Sequence, residues 1–526
     1  MPEYLSPGVY VEEIEVGTKP IEGVSTSNLG IVGPTERGPT DVRLVTSALE
    51  FQRLYGNPIA GWHLAHAVKG FFDNGGRRCF MARVTAAAAT ASGADLGTLR
   101  LEALGPGAWG DNVLFMVGDP SQRDPANAQN PNPNRFRLVL AYYTTMPDTW
   151  PADFVDPTQP GAQSDRNFRR PDVLEVFDNL SHEAGDANYV LRVLGGSNLV
   201  FGNWEANQVP ARPANAAFAR LQGGGGGAPG LADFQGADQG PAARNGAEMS
   251  WSTGLLGLSR VDEVNILAAP DEHRVNGVRG EIINQCETLR DRFALFSVAQ
   301  GSRTVNDIQP DPPTSFAALY WPWIQVMHPN GLERVTIPPV GHVAGILART
   351  DVERGVHKAP ANAVVRGALD LEFPVSRGMQ DILNPRGVNV IRDFRADGNG
   401  IRLWGARTMS SDPAWKYINV RRLFLFMEES IDEGTQWVVF EPNSEPLWDR
   451  VERSIESFLL TVWRNGALMG RRPEEAFYVK CDRTTMTQDD IDNGRLICYI
   501  GVAPVKPAEF VIFRIHQWTL ESGMAV

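Results

Sequence analysis

The residues of this chain that most suggest chemistry lie in the stretch 337–362, which reads IPPVGHVAGILARTDVERGVHKAPAN. The stretch holds His342 and His357 together with acidic side chains, basic side chains and several glycines. A zinc-binding helix would need two histidines four residues apart and a third ligand, but these two are fifteen positions apart. We therefore predict no metal site and assign these histidines to hydrogen bonds at helix ends.

Other motifs that could bind a ligand are incomplete. Asp489, Asp490 and Asp492 are spaced like part of a calcium loop, but the glycine and distal glutamate of such a loop are missing. Thr487 lies three residues before Asp490 and predicts a helix cap instead. The run QGGGGGAPG at 222–230 lacks the strand, helix and Lys-Ser/Thr of a phosphate loop, so we predict a flexible surface loop.

No arrangement of nucleophile, acid and base emerges either. The sequence contains no GxSxG and no SxxK motif. Four acidic residues are crowded together at Glu428, Glu429, Asp432 and Glu433. Glycosidase carboxylates flank one bond from both sides, which residues this close in sequence cannot do. The group instead predicts a solvated surface or one half of an ion-pair interface. The mixed charges of 349–358 predict a salt-bridge network in a core or between subunits. We predict no catalytic residue and no cofactor.

The elements that must position these residues follow strand and helix patterns. Two stretches, 28–84 and 261–298, alternate buried strands with amphipathic helices, which is typical of an α/β domain. Between them, from about 86 to 252, the composition shifts toward Gly, Pro, Asn and Ala, and short strand patterns predict an inserted β-rich module. Further on, 340–354 predicts a helix, and 441–465 has the clearest helix pattern of the chain.

Composition limits the class of protein. The 526 residues suggest about two to four domains, and 43% hydrophobic with 21% charged residues is ordinary for a globular protein. The net charge of −13 argues against a general nucleic-acid coat, which needs a basic face. No apolar run approaches the roughly 20 residues that cross a bilayer, and the first residues do not resemble a signal peptide, so we expect folding in the cytoplasm.

The four cysteines, Cys79, Cys286, Cys481 and Cys498, are scattered and form no CxxC motif. In a reducing compartment we expect buried, reduced thiols. A disulfide between Cys481 and Cys498 is the alternative.

Both ends of the chain have strand patterns. Val9 and Val11 alternate with Tyr10 and Ile14, and 510–515 is almost wholly apolar. Short strands of this kind are not stable alone, so each must pair with another sheet. We predict that the final strand is buried or paired on both sides.

Four blocks near the C-terminus resemble the sheath protein of contractile phage tails and related injection systems. In chain order they are the 337–362 stretch, LNPRGVNVIRDF (383–394), GIRLWGARTMSSDPAWKYINVRRLF (400–424) and FYVKCDRTTMTQDDIDNGRLICYIGVAPVKPAEFVIFRI (477–515). The resemblance is strong over roughly the last 190 residues and reaches the N-terminus through YLSPGVYVEEIE (4–15) and LGIVGPTERGP (29–39). Between about 90 and 250 it is limited to GPGAWGDN (105–112).

The resemblance implies a multidomain fold of the α+β and α/β classes. Its parts would be a discontinuous α/β domain at 21–90 plus 253–336, an inserted β-rich outer domain at 91–252 and a tube-facing C-terminal α+β sheath domain at 337–507. Terminal strand arms at 1–20 and 508–526 would be exchanged between neighbouring subunits. Their strand residues would be Val9, Tyr10, Val11, Ile14, Phe510, Ile512 and Phe513.

The same resemblance implies a structural subunit that polymerises around an inner tube and contracts to drive the tube through a target envelope. Its partners would be copies of itself in helically stacked hexameric rings, the inner tube protein, and baseplate and terminator proteins. We expect no nucleic-acid partner and no membrane insertion. The chain would be cytoplasmic during assembly and later part of a phage tail, an extracellular particle or a membrane-docked particle.

A row of arginines is the candidate contact with the inner tube. At about 100° per residue, Arg450, Arg453 and Arg464 fall on one side of the 441–465 helix, and Arg471 and Arg472 follow it. In the resembled family a helix of the C-terminal domain lines the sheath lumen and holds the tube by charge complementarity. An ordinary solvated helix face is the alternative.

Two other functions stay open at this point. The α/β region could belong to a cytosolic enzyme such as a hydrolase, although no acid, base and nucleophile group is complete. A non-contractile shell or adhesin would explain the chain ends but not the C-terminal blocks. The sequence is compatible with a phage tail, a bacteriocin and a chromosomal injection system.

Overall fold

The computed structural model describes residues 20–329 and 331–514. The chain divides into two compact units. The larger unit is Ser25–Arg354 with Pro360–Arg421, and the described parts of the smaller unit are 20–24, 355–359 and 422–514. The boundary predicted at residue 337 does not coincide with this division, so the predicted domain limits stay a proposal.

The strands are short and spread over the whole described chain. In chain order they are β1 (Leu29–Gly33), β2 (Arg43–Val45), β3 (Cys79–Arg83), β4 (Gly93–Leu96), β5 (Leu99–Ala103), β6 (Val113–Gly118), β7 (Arg135–Tyr142), β8 (Val173–Ser181), β9 (Val200–Trp204), β10 (Ala216–Arg220), β11 (Asp238–Arg244), β12 (Ala247–Ser252), β13 (Ile266–Ala268), β14 (Phe293–Ser297), β15 (Ala317–Trp321), β16 (Ile324–Met327), β17 (Arg334–Ile337), β18 (Ala363–Val364), β19 (Asp370–Leu371), β20 (Val388–Phe394), β21 (Gly400–Leu403), β22 (Phe477–Lys480) and β23 (Tyr499–Val502).

The α-helices include three of more than fourteen residues, α7, α9 and α10. In chain order the helices are α1 (Ala48–Tyr55), α2 (Leu64–Asp73), α3 (Val190–Leu194), α4 (Leu231–Gln235), α5 (Gly254–Ser259), α6 (Val278–Leu289), α7 (Val340–Arg354), α8 (Arg377–Leu383), α9 (Ile418–Thr435), α10 (Glu445–Arg464), α11 (Pro473–Ala476) and α12 (Gln488–Asp492). Short 3₁₀ helices lie at Ala108–Asn112, Ala162–Ser164, Glu272–Arg274, Val305–Asp307, Asn384–Arg386, Arg395–Asp397 and Gln436–Val438.

The largest sheet belongs to the larger unit. Its strand order is β18-β21-β20-β15-β14-β13-β1-β3-β2, and the strands from β20 to β3 are parallel. Antiparallel β2 lies at one edge, and β21 followed by β18 lies at the other. Strands β1, β3, β14 and β15 are buried at every position. Full burial explains why their sequences are nearly continuous apolar runs rather than alternating ones.

Between β3 and β13 the chain forms three smaller antiparallel sheets. Their strand orders are β10-β6-β7-β8, β4-β5-β9 and β11-β12. The short strands predicted within this stretch correspond to β5, β6 and β7. Alternate side chains such as Leu99, Leu101, Leu138 and Leu140 are fully buried in a shared core. The position of this stretch on the outside of an assembly stays a prediction.

The glycine run 222–230 is tied to a neighbouring loop of the larger unit. Gly225 and Thr90 exchange two backbone hydrogen bonds, with N–O distances of 3.1 and 3.2 Å. The Gly224 N–H donates to the carboxylate of Asp111 at 2.9 Å. These bonds hold a stretch that the sequence predicts to be a flexible loop, and the Gly224 amide already has an anionic acceptor within the chain.

Glycines allow helices α2 and α7 to pack at close range in the larger unit. A Cβ atom at Gly341 would lie 2.2 Å from the carbonyl oxygen of Ala67, and Gly345 is in similar contact with α2 one turn further on. On the facing helix, a Cβ at Gly70 would lie 2.2 Å from Nδ1 of His342. The stretch that looks catalytic in the sequence therefore serves helix packing.

The smaller unit is organised around helix α10. The helix begins at Glu445, four residues after the start of the predicted helix 441–465, and Pro446 lies in its first turn. One face of α10 is buried; its residues are Leu447, Trp448, Val451, Ser454, Ile455, Phe458, Leu459 and Val462. The two-stranded sheet β22–β23 joins the same core through Phe477, Val479 and Val502.

Three features differ from the sequence predictions. The patterns do not predict α9, an eighteen-residue helix. Residues 510–514 form no strand, and Phe510, Ile512 and Phe513 are exposed rather than buried. His342 lies within α7 in the fully buried interior rather than in a helix-end hydrogen bond, and no hydrogen-bond partner of its Nδ1 is found among the described residues. The N-terminal residues Val9, Tyr10, Val11 and Ile14 lie outside the described residues.

Candidate functional site

The exposed surface of α10 is divided between two charges. With about 100° per residue, Arg450, Arg453 and Arg464 fall near 240–300°, opposite an apolar face at about 0–120°. Four acids occupy the remaining exposed sector near 140–200°; they are Glu445, Asp449, Glu452 and Glu456. Sequence reasoning named the basic flank and missed the acidic one, although both are visible when every charged position is placed on the helix.

The arginines Arg450, Arg453 and Arg464 of α10, the basic flank, form only weak contacts within the described chain. Arg450 Nη2 lies 3.3 Å from Glu441 Oε2, and its guanidinium lies 5.3 Å from the centre of the Trp437 ring. Arg453 Nη2 lies 3.5 Å from Asp449 Oδ2, with both side chains 65% exposed. Exposed pairs of this kind contribute about 0–1 kcal/mol each, so either arginine can change partner at small cost.

The other three predicted arginines are exposed at and beyond the end of α10. Arg464 is in the last turn of the helix, and Arg471 and Arg472 precede α11. Among the residues that the structure describes, no carboxylate forms an ion pair with any of these three guanidinium groups. Their positive charge is available to a partner.

The acidic flank is held by the chain itself. Glu452 accepts a hydrogen bond from the backbone N–H of Cys481 at 3.0 Å, which ties α10 to the end of β22. Burial, followed by the charge of Glu452, raises the pKa of Glu456. The acidic flank is therefore partly structural, whereas the basic flank faces solvent.

A second candidate surface is the sheet β22–β23. The register pairs Tyr478 with Gly501 and Lys480 with Tyr499, so these four residues share the face opposite the core. Tyr478 and Tyr499 are 61% and 55% exposed. No third strand pairs with either strand in the described chain, so both outer edges carry backbone groups that another strand could use.

The described C-terminal segment is a third candidate. Four consecutive apolar residues, Phe510, Val511, Ile512 and Phe513, are each 69–83% exposed. An exposed apolar run of this kind is unusual in a monomeric protein and marks a surface that binds another molecule. Within the described residues the run belongs to no sheet.

Features that could indicate an enzyme do not form a complete site. A cavity of about 350 Å³ lies beyond the carboxyl ends of β14 and β15 and is lined by Arg279, Ser302 and Arg303 among others. Arg279 Nη2 is already bonded to Glu272 at 2.7 Å, and the Ser302 hydroxyl donates to the Ala299 carbonyl at 2.8 Å. The cavity lining therefore offers no activated nucleophile.

A buried histidine–carboxylate pair is also structural. His63 Nδ1 lies 2.6 Å from Asp271 Oδ1, and the His63 ring packs edge-on against Trp323 at 5.1 Å. In the part of the chain that the structure describes, no hydroxyl or thiol is hydrogen-bonded to His63, which a nucleophile–base pair would require. No group of three or more metal-ligating side chains is found among the described residues, and no described helix is long and apolar enough to cross a membrane.

The domains of this chain match two family models. The phage tail sheath protein central domain matches residues 255–409, and the phage tail sheath C-terminal domain matches residues 410–517. Together the models cover half of the chain. The protein belongs to the phage tail sheath family. The family is one of structural proteins rather than enzymes, which removes the hydrolase alternative.

Curated relatives agree with this assignment over parts of their length. A putative prophage major tail sheath protein of Pseudomonas aeruginosa is 27% identical over 282 residues, covering 51% of this chain and 69% of the relative. The tail sheath protein of Vibrio phage KVP40 is 28% identical over 193 residues, covering 36% of this chain. That second match spans only 28% of the phage protein.

The fold matches over almost the full length. The sheath of an extracellular contractile injection system, PVC, solved in its contracted state, aligns with a TM-score of 0.58 and 21% identity. The alignment covers 98% of this chain and 99% of the other. The mixed α/β multidomain architecture is thus that of a contractile sheath subunit.

Proposed function

We propose that this protein is the subunit of a contractile sheath that polymerises around an inner tube and contracts to drive the tube through a target envelope. The observation that carries the proposal is the apolar run 510–513, which joins no sheet among the described residues, together with the small sheet β22–β23, which no third described strand extends. Family membership supports it, and so does a fold shared with a sheath solved in the contracted state.

Strand exchange would join the subunits. Residues 508–526 of one copy would add a strand to a sheet of a neighbour, and the arm 1–20 would do the same. Each added backbone hydrogen bond contributes about 0.5–1.5 kcal/mol net, so one strand supplies several kcal/mol. Phe510, Ile512 and Phe513 would leave solvent in that step, which explains why they are exposed in a single chain.

The basic flank of α10 would hold the inner tube. Arg450 and Arg453 have weak partners, and Arg464, Arg471 and Arg472 present unpaired charge among the described residues. An acidic tube surface would fit this strip. Weak, separate ion pairs suit a sheath that must first hold its tube and then release it.

Contraction would be a change between two lattice arrangements rather than a chemical reaction. The extended arrangement would be metastable, and a trigger at the baseplate would start a wave of repacking that strand links pass from subunit to subunit. Hexameric rings stacked helically, with a terminator protein at the far end, would complete the particle. The sheath would assemble in the cytoplasm and act in a phage tail, a released particle or a membrane-docked one.

Removal of the C-terminal arm tests the proposal. A chain truncated after Pro507 should keep its thermal unfolding midpoint but lose the ability to form long tubes in negative-stain microscopy. The matched control replaces two residues of similar exposure, Val209 (84%) and Leu332 (87%), with Ser in the full-length chain. Tubes of normal length from the truncated chain would contradict the strand-exchange proposal, and a small closed oligomer from the full chain would contradict the sheath itself.

A further inference from the structure

Two cysteines of the smaller unit face each other at one end of the β22–β23 ladder. The register pairs Lys480 with Tyr499, so the next pair outward brings Cys481 opposite Cys498. Directly opposite residues in antiparallel strands have Cα atoms about 4.5–5.5 Å apart. A disulfide spans Cα distances of about 4.4–6.8 Å. Both cysteines are free thiols here, Cys481 buried and Cys498 partly exposed.

We propose that Cys481 and Cys498 are a redox modification site, which forms an intrachain disulfide by exchange with a small-molecule disulfide such as oxidised glutathione. The bond would close the loop 482–497 and fix one end of the open-edged sheet. The sequence favours reduced thiols with this disulfide as the alternative, whereas the strand register places the two side chains opposite each other and so favours the disulfide.

The surroundings of the two thiols assign them different roles. Cys498 is partly exposed, and hydrogen bonds from the Cys481 thiol and the Lys480 backbone lower its pKa. The hydrogen bond to Cys498 raises the pKa of Cys481, and burial raises it further. Cys498 is also the more accessible thiol, whereas Cys481 is only 2% exposed, so Cys498 attacks first and Cys481 is the resolving thiol.

The exchange balances in two steps. The Cys498 thiolate attacks one sulfur of oxidised glutathione, the glutathione S–S bond breaks, and one glutathione thiolate leaves. Cys481 then loses its proton to solvent and attacks the Cys498 sulfur of the mixed disulfide, releasing the second glutathione. Two protein thiols are oxidised to one disulfide, and one oxidised glutathione is reduced to two thiols.

The other two cysteines provide an internal comparison. Cys79 and Cys286 are fully buried in the larger unit, and burial raises the pKa of each thiol above its ordinary range. Neither should react in the folded chain. Modification confined to the 481–498 pair would therefore come from the geometry of the smaller unit rather than from general oxidation.

The use of this bond in a particle rests on the proposed function. A sheath made in a reducing cytoplasm would assemble with both thiols free, and one released into an oxidising medium would acquire the bond afterwards. The disulfide would then stiffen the sheet only after it has accepted its partner strands.

The experiment treats the purified full-length chain with a series of oxidised and reduced glutathione mixtures, quenches with acid and alkylates. Tryptic digestion should then release the fragment 481–483 joined to the fragment 496–514, while Cys79 and Cys286 are alkylated only after denaturation. In Cys481→Ser, glutathione should stay attached to Cys498. In Cys498→Ser, adduct formation at Cys481 should be slower than adduct formation at Cys498 in Cys481→Ser, because Cys481 is buried.

Three results would overturn the proposal. They are an unmodified pair at every glutathione ratio, a stable glutathione adduct on Cys498 of the wild type without the joined fragments, and equal oxidation of Cys79 and Cys286. Tube formation by the reduced chain is scored separately by negative-stain microscopy. Loss of tubes counts against the proposed function and leaves the thiol chemistry to be decided by the digest.

Discussion

The edge strands differ between the two units, which contain a nine-stranded sheet in the larger unit and a two-stranded sheet in the smaller unit. In the large sheet the parallel strands are buried, and the edge strands β2 and β18 are only three and two residues long. Short edge strands leave little to which another chain can bind. In the small sheet both strands are edges, and two tyrosines on one face are exposed.

Under the strand-exchange proposal, this difference separates the sheet that one chain completes by itself from the sheet that a partner strand would extend. A two-stranded sheet is marginal alone, and here α10 supports only one of its faces. Stability should therefore depend on the large sheet, and assembly should depend on the small one. The following predictions test that separation, beginning with the largest expected effect.

Truncating one side chain in each sheet should give the largest difference in unfolding free energy between variants. Phe293→Ala in β14 removes a fully buried ring and should cost about 3–5 kcal/mol of unfolding free energy. Tyr478→Ala in β22 should cost less than about 1 kcal/mol in the single chain but should reduce tube formation. Denaturant unfolding and negative-stain microscopy of both variants measure this. Equal losses of stability would refute the separation.

A side chain added between α2 and α7 should also lower the unfolding free energy of the larger unit alone. Gly341→Val places a Cβ against the backbone of α2, which cannot move aside as a side chain can, and should cost about 3 kcal/mol or more. Gly280→Ala is the matched control, because no atom lies within 4 Å of a Cβ at that position of α6. Denaturant unfolding compares the two variants, and similar unfolding free energies would show that the close approach is not needed.

Acid should weaken the larger unit through two buried histidines. Burial lowers the pKa of His66 to about 4 and that of His342 to about 4, whereas the unfolded value is about 6.5. Between these values the unfolded chain binds more protons, so stability is complete above about pH 6.5 and falls as the pH drops toward 4. The loss should be on the order of 2–3 kcal/mol per histidine.

Calorimetry between pH 7.5 and 4.5 measures this loss. His342→Phe keeps a ring against Gly70 and removes the titrating group, so its unfolding temperature should fall less steeply with pH than that of the wild type. Parallel pH profiles for the two proteins would mean that His342 does not contribute to the acid sensitivity.

Charge reversal on the basic flank should have the smallest effect on folding and a visible one on assembly. Arg450→Glu with Arg453→Glu should change the unfolding free energy by less than about 1 kcal/mol, because both arginines are exposed. Co-sedimentation with the inner tube should weaken, most clearly at low salt. Arg483→Glu is the control, an exposed arginine that pairs with Glu445 on the acidic side of α10 rather than lying on the basic flank. Normally sheathed tubes from the double variant would reject the assignment of this flank.

The sequence predicted several strands and helices of the larger unit because their signals are local. Ser47 accepts the hydrogen bond expected of a cap from the Glu50 N–H, and the run at 293–298 forms the buried strand β14. The sequence pattern does not predict helix α9, because Arg421 and Arg422 near its start are buried and interrupt the expected apolar pattern. The Arg421 guanidinium lies 3.8 Å from the Phe316 ring centre, an arrangement that a hydropathy pattern cannot reveal.

The candidate surfaces were predictable to different degrees. The arginine flank follows from helical spacing, so the sequence located it. The final strand stays a prediction because its expected partner is another subunit; in the single chain 510–514 forms no strand and pairs with none of the described sheets. The thiol pair depends on a register between segments separated by a loop and a helix, which no local pattern encodes.

The path of the chain through the large sheet has a practical consequence. The backbone leaves that sheet after β3 and re-enters at β13, and both strands are direct neighbours of β1. Two strand spacings across the sheet and four residues along it place the exit at Arg83 and the return at Ile266 about 16 Å apart. A foreign module whose own termini lie that close could replace the intervening stretch without disturbing the parallel strands, which makes this position a natural graft point for displaying an epitope or an affinity domain.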